Sequence, residues 1–140
     1  MARIDKNDLS YSIRGLLHKM LPHGAPSQEQ IAKHLGIGLR TLQRRLYEQG
    51  TNYKNILEQT RKKLTMDYIQ QRHLTLSEIS YLVGFSITAN FHRAFKRWTN
   101  KSPGEYRERQ LYNFFYSLIF FLNKPPDRDG LFSLSPLESK

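Results

Sequence analysis

A chain of 140 residues with 22 Lys plus Arg against 12 Asp plus Glu carries a formal charge of +10 and a pI near 10.0, which leaves room for one small basic domain and not for an enzyme with a separate cofactor module. At 39% hydrophobic and 24% charged residues the composition is that of a folded globular chain, outside the ranges of disordered and membrane-spanning sequences. With no cysteine, disulfides, thiolate nucleophiles and Cys-based zinc or iron-sulfur sites are excluded. The opening residues contain no apolar run of secretory-signal type, so the default expectation is the cytoplasm.

Strand signals are nearly absent while helix starts and stops recur, so the reading is all-α. Asp8 to Leu21 carries Leu9, Ile13, Leu16, Leu17 and Met20 at helical spacing, and the stripe ends before Pro22 and Gly24. Ser27 and Gln30 form a capping box that opens a short helix to Leu35, broken by Gly36. A helix from Leu39 to Gln49 stops at Gly50, where positive φ closes a helix most easily. A long helix, roughly Asn52 to Gln71, sets Tyr53, Ile56, Leu57, Leu64, Tyr68 and Ile69 on one side and spans about 30 Å. Thr75 and Glu78 make a second capping box, opening a short helix that ends at Gly84, and Ile87 to Trp98 follows. Ser102, Pro103 and Glu105 then cap a last helix running through Tyr106.

The charge is unevenly spread. Residues 1–110 hold 19 Lys plus Arg against 9 Asp plus Glu, whereas 111–140 hold three of each. A basic domain with a neutral tail points to a polyanionic partner, because clustered cations concentrate phosphates and gain from counterion release.

Residues 31–53 laid over 79–103 repeat. Ile31, Ala32, Leu35, Gly36 and Ile37 align with Ile79, Ser80, Val83, Gly84 and Phe85, and after one inserted residue Leu42, Arg44 and Leu46 align with Phe91, Arg93 and Phe95. Each unit is a short helix, a glycine turn and a longer basic helix, which is a helix-turn-helix. At about 100° per residue, Leu39, Leu42 and Leu46 face the core of the first unit. Arg40, Arg44 and Tyr47 face away from it, with Thr41 and Gln43 at the flanks. Arg can bond guanine O6 and N7 in bidentate fashion, and Gln can bond adenine N6 and N7, so this face has base-reading chemistry; Arg45, nearer the buried seam, suits a phosphate. In the second unit Ile87, Phe91, Phe95 and Trp98 are expected to be buried, leaving Ala89, Arg93, Lys96 and Arg97 outward. Arg93 is its obvious base reader, the Ala89 methyl could touch a thymine methyl, and Lys96 and Arg97 suit phosphates late in the helix.

These residues resemble the C-terminal DNA-binding domain of AraC/XylS-type transcriptional regulators over roughly residues 8–109. The most specific stretch is GFSITANFHRAFKRWTNKSPGEYR, residues 84–107, which is similar to the family signature GF...s.F.r.FK...G.sP..yR. In the first unit the pair Ile31 and Ala32, the run LQRRL at 42–46 and Gly50 match as well. The resemblance implies seven helices, with two helix-turn-helix units joined by the long helix and two recognition helices in successive major grooves of double-stranded DNA. It places base contacts at Arg40, Gln43 and Arg44 and at Thr88, Ala89 and Arg93, adding Thr88 to the faces read above. Gly38 stands where Ser is usual, Thr65 where Ala is usual and Asn100 where Gly is usual. By family analogy RNA polymerase is a second partner and the bacterial nucleoid the location. Members usually carry an N-terminal effector-binding or dimerisation domain, which this chain lacks, so a stand-alone regulator and a fragment both stay open.

On this reading residues 1–110 are the DNA-binding domain, with the first helix-turn-helix at about 27–50, the linking helix at about 52–71 and the second at about 75–99. Residues 111–140 are an extension outside the resemblance. Its run LYNFFYSLIFFL, 111–122, is too short to span a bilayer, which takes about 20 residues; it is read as a continuation of the last helix without a dedicated function. No cofactor or metal is expected. His18, His23, His34, His73 and His92 lack metal-ligand spacing, and no phosphate-binding or nucleophile-elbow motif is present. Alkyl-transfer DNA repair proteins, some of which carry a similar domain, need a cysteine. The rival class is a protein-interaction or membrane-surface helical module using the basic face and the aromatic tail.

Overall fold

The computed structural model describes residues 8–124, which form seven α-helices and one short 3-10 turn, with no strand among them. In chain order these are α1 (Asp8–Met20), the 3-10 turn (Leu21–His23), α2 (Gln28–Leu35), α3 (Leu39–Glu48), α4 (Tyr53–Ile69), α5 (Leu76–Leu82), α6 (Thr88–Thr99) and α7 (Pro103–Asn123). The all-α architecture expected from the sequence is present. The tail beyond 124, with Pro125, Pro126 and Gly130, lies outside the described residues.

Local chemistry explains the helix ends. At the start of α2 both halves of the capping box form: Gln30 N donates to Ser27 Oγ at 3.2 Å and Ser27 N to Gln30 Oε1 at 2.8 Å. At α5 the hydroxyl half forms, Glu78 N donating to Thr75 Oγ1 at 3.0 Å. Asn52 caps α4 by accepting from Asn55 N at 2.8 Å. The two glycine turns repeat in detail. Ile37 N bonds the Ala32 carbonyl and, 48 residues on, Phe85 N bonds the Ser80 carbonyl. Both turns need the left-handed region, at φ 67° for Gly36 and 87° for Gly84, which costs a side-chain-bearing residue about 1–2 kcal/mol. Asn100, after α6, adopts φ 61° where the resembling family has Gly, and Asn is among the residues that tolerate it.

The chain divides into two compact units at Pro103 and Gly104. In the first, Ile13, Leu17 and Leu21 pack with Ile31 and Ala32 of α2, Leu42 and Leu46 of α3 and Ile56 of α4. The second helix-turn-helix buries Ile79 and Val83 of α5 and Phe91, Ala94 and Phe95 of α6. Ile87 departs from the expected stripe: it is 56% exposed. It is the N-cap of α6 at φ −123°, ψ 118°, so the helical periodicity that buries Phe91 and Phe95 does not extend to it, and Ala94 fills the stripe instead. Phe91 and Phe95 are core rings rather than a stacking platform, with centroids 6.1 Å apart.

α4 lies in the chain between the α2–α3 and α5–α6 helix pairs and packs against α1 and α5. It buries Thr60 and Thr65, whose hydroxyls bond the Ile56 and Arg61 carbonyls one turn back at 2.7 Å each. That back-bonding satisfies the hydroxyl which Thr65 brings to a position usually held by Ala.

The second unit contains most of α7, which extends through the aromatic stretch to Asn123. Extension was expected; burial of its rings is not found, since Phe114, Tyr116, Ile119 and Phe120 are all more than half exposed.

Candidate nucleic-acid interface

α3 follows the Gly36 turn, and its N-cap, Gly38, supplies no side-chain hydrogen bond. With Leu42 and Leu46 anchored in the core, Arg40, Gln43, Arg44, Arg45 and Tyr47 are exposed and Thr41 is half-buried. Tyr47 is 82% exposed, a large ring open to solvent. Gln43 Nε2 donates to Gln28 Oε1 of α2 at 3.3 Å, so one expected reader leans on the start of the preceding helix. Arg44 Nε lies 4.0 Å from Glu48 Oε1 one turn on, a loose and solvated pair. Nothing among the described residues holds Arg40 or Arg45.

On α6, Ala89, Arg93, Lys96 and Arg97 are exposed and Thr88 is half-buried. Here the arginines are engaged. Arg93 Nη2 donates to Asn90 Oδ1 within the helix. Arg97, expected at a phosphate, donates from Nη2 to Glu58 Oε1 of α4 at 2.8 Å, and Trp98 Nε1 donates to the same oxygen at 2.9 Å. The hydrogen bonds from Arg97 and then Trp98 hold the Glu58 carboxyl below the usual carboxylate range. The structure thus exposes Arg40, Gln43, Arg44 and Arg45 on α3 and, separately, Ala89, Arg93, Lys96 and Arg97 on α6.

Several contributing residues escaped the sequence reading. Asn90 has the amide chemistry to read adenine and sits one turn before Arg93 on the exposed side, so helical spacing could have flagged it. Glu58 and Arg61 could not be flagged so, because their partners lie 22 to 40 residues away. Arg61 of α4 donates from Nε to the Val83 carbonyl at 2.9 Å and from Nη2 to the Gly84 carbonyl at 2.8 Å. Its guanidinium carbon stands 4.0 Å from the centroid of the Phe85 ring, and burial lowers its pKa. At the N-terminal end of α4, Tyr53 Oη donates to the Pro26 carbonyl at 2.6 Å, and burial pushes the phenol up to about 12.

An open groove of about 400 Å³ runs beside α3, lined by Gln43, Tyr47, Asn52 and Lys54 among others. A second, of about 700 Å³, lies beside α6 and is lined by Arg61, Asn90, Arg93 and Arg97 together with Gly24 and Ser86. The groove beside α6 has basic, largely polar walls, whereas the one beside α3 is mostly apolar, with Lys54 as its cation. Among the described residues no group of three His, Asp or Glu is placed to hold a metal, and no helix is long and apolar enough to cross a membrane.

The sequence pattern of a helix-turn-helix domain family matches residues 31–109. Over 87 residues the chain is 42% identical to the ornithine utilization regulator of Pseudomonas aeruginosa, covering 62% of this chain and 26% of that protein. Over 99 residues it is 37% identical to the HTH-type transcriptional regulator VirS of Mycobacterium tuberculosis, covering 71% of this chain and 29% of that one. The crystal structure of the transcriptional regulator CdpR from Pseudomonas aeruginosa superposes with a TM-score of 0.63 at 32% identity, over 71% of this chain and 31% of CdpR. A DNA-binding transcriptional dual regulator from Escherichia coli K-12 shares the fold, with a TM-score of 0.69 at 19% identity over 74% of this chain and 93% of its own. The chain spans less than a third of the length of its first two relatives named here.

Proposed function

Because the chain belongs to the AraC-type family of helix-turn-helix DNA-binding domains, we propose that it regulates transcription by reading two successive major grooves of duplex DNA, one with α3 and one with α6. The observation that carries this reading is the outer face of α3, where Arg40, Gln43, Arg44 and Arg45 stand exposed on a helix whose other face is locked in the core. Base edges are read by Arg40, Gln43 and Arg44, with Thr41 at the flank, and in the second groove by Arg93 with Asn90, Thr88 and Ala89. Arg45 and Lys96 contact phosphates; Arg97 does so while shared with Glu58. The protein works without catalysis, in the cytoplasm where the nucleoid lies, and RNA polymerase is its protein partner.

Selection of bound sites from random duplexes tests the reading. The expected consensus has two half-sites about one DNA turn, roughly 34 Å, apart on one face. With about six phosphate contacts, log affinity should fall against log salt with a slope near −5. A slope near zero on the best selected duplex, or a footprint confined to one groove and unchanged by mutation of α6, would overturn it.

A further inference from the structure

Besides the Glu58 bonds to Arg97 and Trp98, the α5–α6 pair meets the rest of its unit at a compact joint around its turn. The turn residues Val83 and Gly84 offer their carbonyls to Arg61 of α4, and Phe85 lies under the same guanidinium. From the other side Gly84 faces the 3-10 turn that ends α1: a Cβ there would lie 2.8 Å from Leu21 Cδ2, 3.2 Å from the Leu21 carbonyl oxygen and 3.2 Å from Ala25 N. α1 and α4 also carry the first helix-turn-helix, packed on Ile13, Leu17, Leu21 and Ile56. The turn immediately before α6 is therefore clamped between two elements that hold α3.

We propose that Arg61 is the residue that sets the distance and rotation between the two recognition helices, and through them the spacing of half-sites the protein accepts. The proposal rests on the two-groove reading above. A guanidinium suits this role because its planar fork fixes direction as well as distance: two N–H groups reach two successive carbonyls while the flat face covers an aromatic ring. Apolar packing alone would resist separation of α5 from α4 but would resist sliding and rotation less, since it is not directional. Arg61 lines the groove beside α6 with Asn90 and Arg93, but its hydrogen bonds go to the Val83 and Gly84 carbonyls, so it is assigned as a positioning residue. Its loss should change which spacings are bound more than which bases are read.

The test uses the intact chain and the selected duplex, with derivatives in which one or two base pairs are inserted between the half-sites. Each insertion rotates the far half-site by about 36° and moves it by about 3.4 Å. The native chain should bind the inserted duplexes about tenfold more weakly, a change of about 1.4 kcal/mol. Arg61→Ala should narrow that ratio to about twofold, with base preferences kept in both half-sites. Arg61→Lys, whose ammonium can donate to both carbonyls but cannot cover the ring as a plane, should restore part of the ratio. A purely structural role would weaken all duplexes in proportion, and an Arg61→Ala variant that keeps the tenfold ratio overturns the proposal. So does loss of the helical circular dichroism signal in both variants, which would make Arg61 a support of the whole fold. If the native chain selects two half-sites but tolerates any spacing, this inference fails and the DNA reading stands; if it selects no duplex, both fall.

Discussion

Gly36 and Gly84 close the same turn in the two helix-turn-helix units, yet a methyl group added at Gly36 would meet nothing within 4 Å while one at Gly84 would press on Leu21 and Ala25. The difference continues outward. In the first unit the turn is open and Arg40 and Arg45 on the outer face of α3 are held by nothing among the described residues. In the second the turn is clamped by Arg61 and the 3-10 turn, and two α6 arginines are engaged by Asn90 and Glu58. The repeated turn thus precedes a freely presented helix, α3, in one place and a braced one, α6, in the other. Bracing lowers the entropy lost when a helix docks; on the proposed reading, DNA would have to compete with Glu58 for Arg97.

One methyl group added at each turn should separate the two most strongly. Gly36→Ala should cost about 1–2 kcal/mol, the left-handed backbone alone, whereas Gly84→Ala should cost about 3 kcal/mol or more because overpacking adds to it. Urea unfolding of the two variants measures both, and equal losses would remove the clamp from the account.

Next come the readers. Arg44→Ala should relax preference at one or two base pairs of a half-site, a loss of about 1–3 kcal/mol of discrimination. Arg93→Ala and Asn90→Ala should do so in the other half-site. Lys96→Ala should weaken all sequences alike and flatten the salt slope by about 1. Repeated site selection with each variant decides; an unchanged consensus for Arg44→Ala with an altered one for Lys96→Ala would reverse the assignment.

A smaller effect tests the core. Ala32 of the first unit corresponds to Ser80 of the second, and Ser80 Oγ is buried with no hydrogen-bond partner among the described residues. Ser80→Ala should stabilise the domain by about 1 kcal/mol, since it removes an unpaired buried hydroxyl, and Ala32→Ser should destabilise it by a similar amount. Thermal melts of the pair check the symmetry.

The smallest effect is the brace at Glu58. Its carboxyl is held below its usual range, so the stability it adds is present above the unfolded-state pKa, about 4.3, and is lost as pH falls through the lower folded value. Glu58→Gln should therefore melt earlier than the native chain near pH 7, by about 0.5 kcal/mol for so exposed a pair, and the gap should close in acid. A gap that widens in acid would contradict the brace.

How much of this was legible without the fold differs between the two units. The apolar stripe of α3, its polar outer face and the capping box at Ser27 and Gln30 all follow from spacings of three and four residues, and each is found. For α6 the same arithmetic placed Phe91 and Phe95 inside and Arg93, Lys96 and Arg97 outside, but it buried Ile87. One position before the helix the backbone is extended, and a period of 3.6 residues no longer applies. At α7 the sequence allowed the helix to continue, and it does, but periodicity could not say whether its rings are covered, because a stretch apolar on all sides has no preferred face.

The all-α class, the repeat of helix, glycine turn and basic helix, and the identity of the residues on the outer face of α3 follow from the chain alone, since all of these are set by interactions within one or two turns. What Arg61, Glu58 and Gly84 do depends on the packing of distant segments. Arg61 reads as one more surface cation on a long helix until Val83 and Gly84, 22 and 23 residues away, present their carbonyls to it; Glu58 reads as a solvated acid until Arg97 and Trp98 arrive from 39 and 40 residues on. Directional contacts between distant segments depend on where several packed helices come to rest together, and no local spacing in the chain encodes that position.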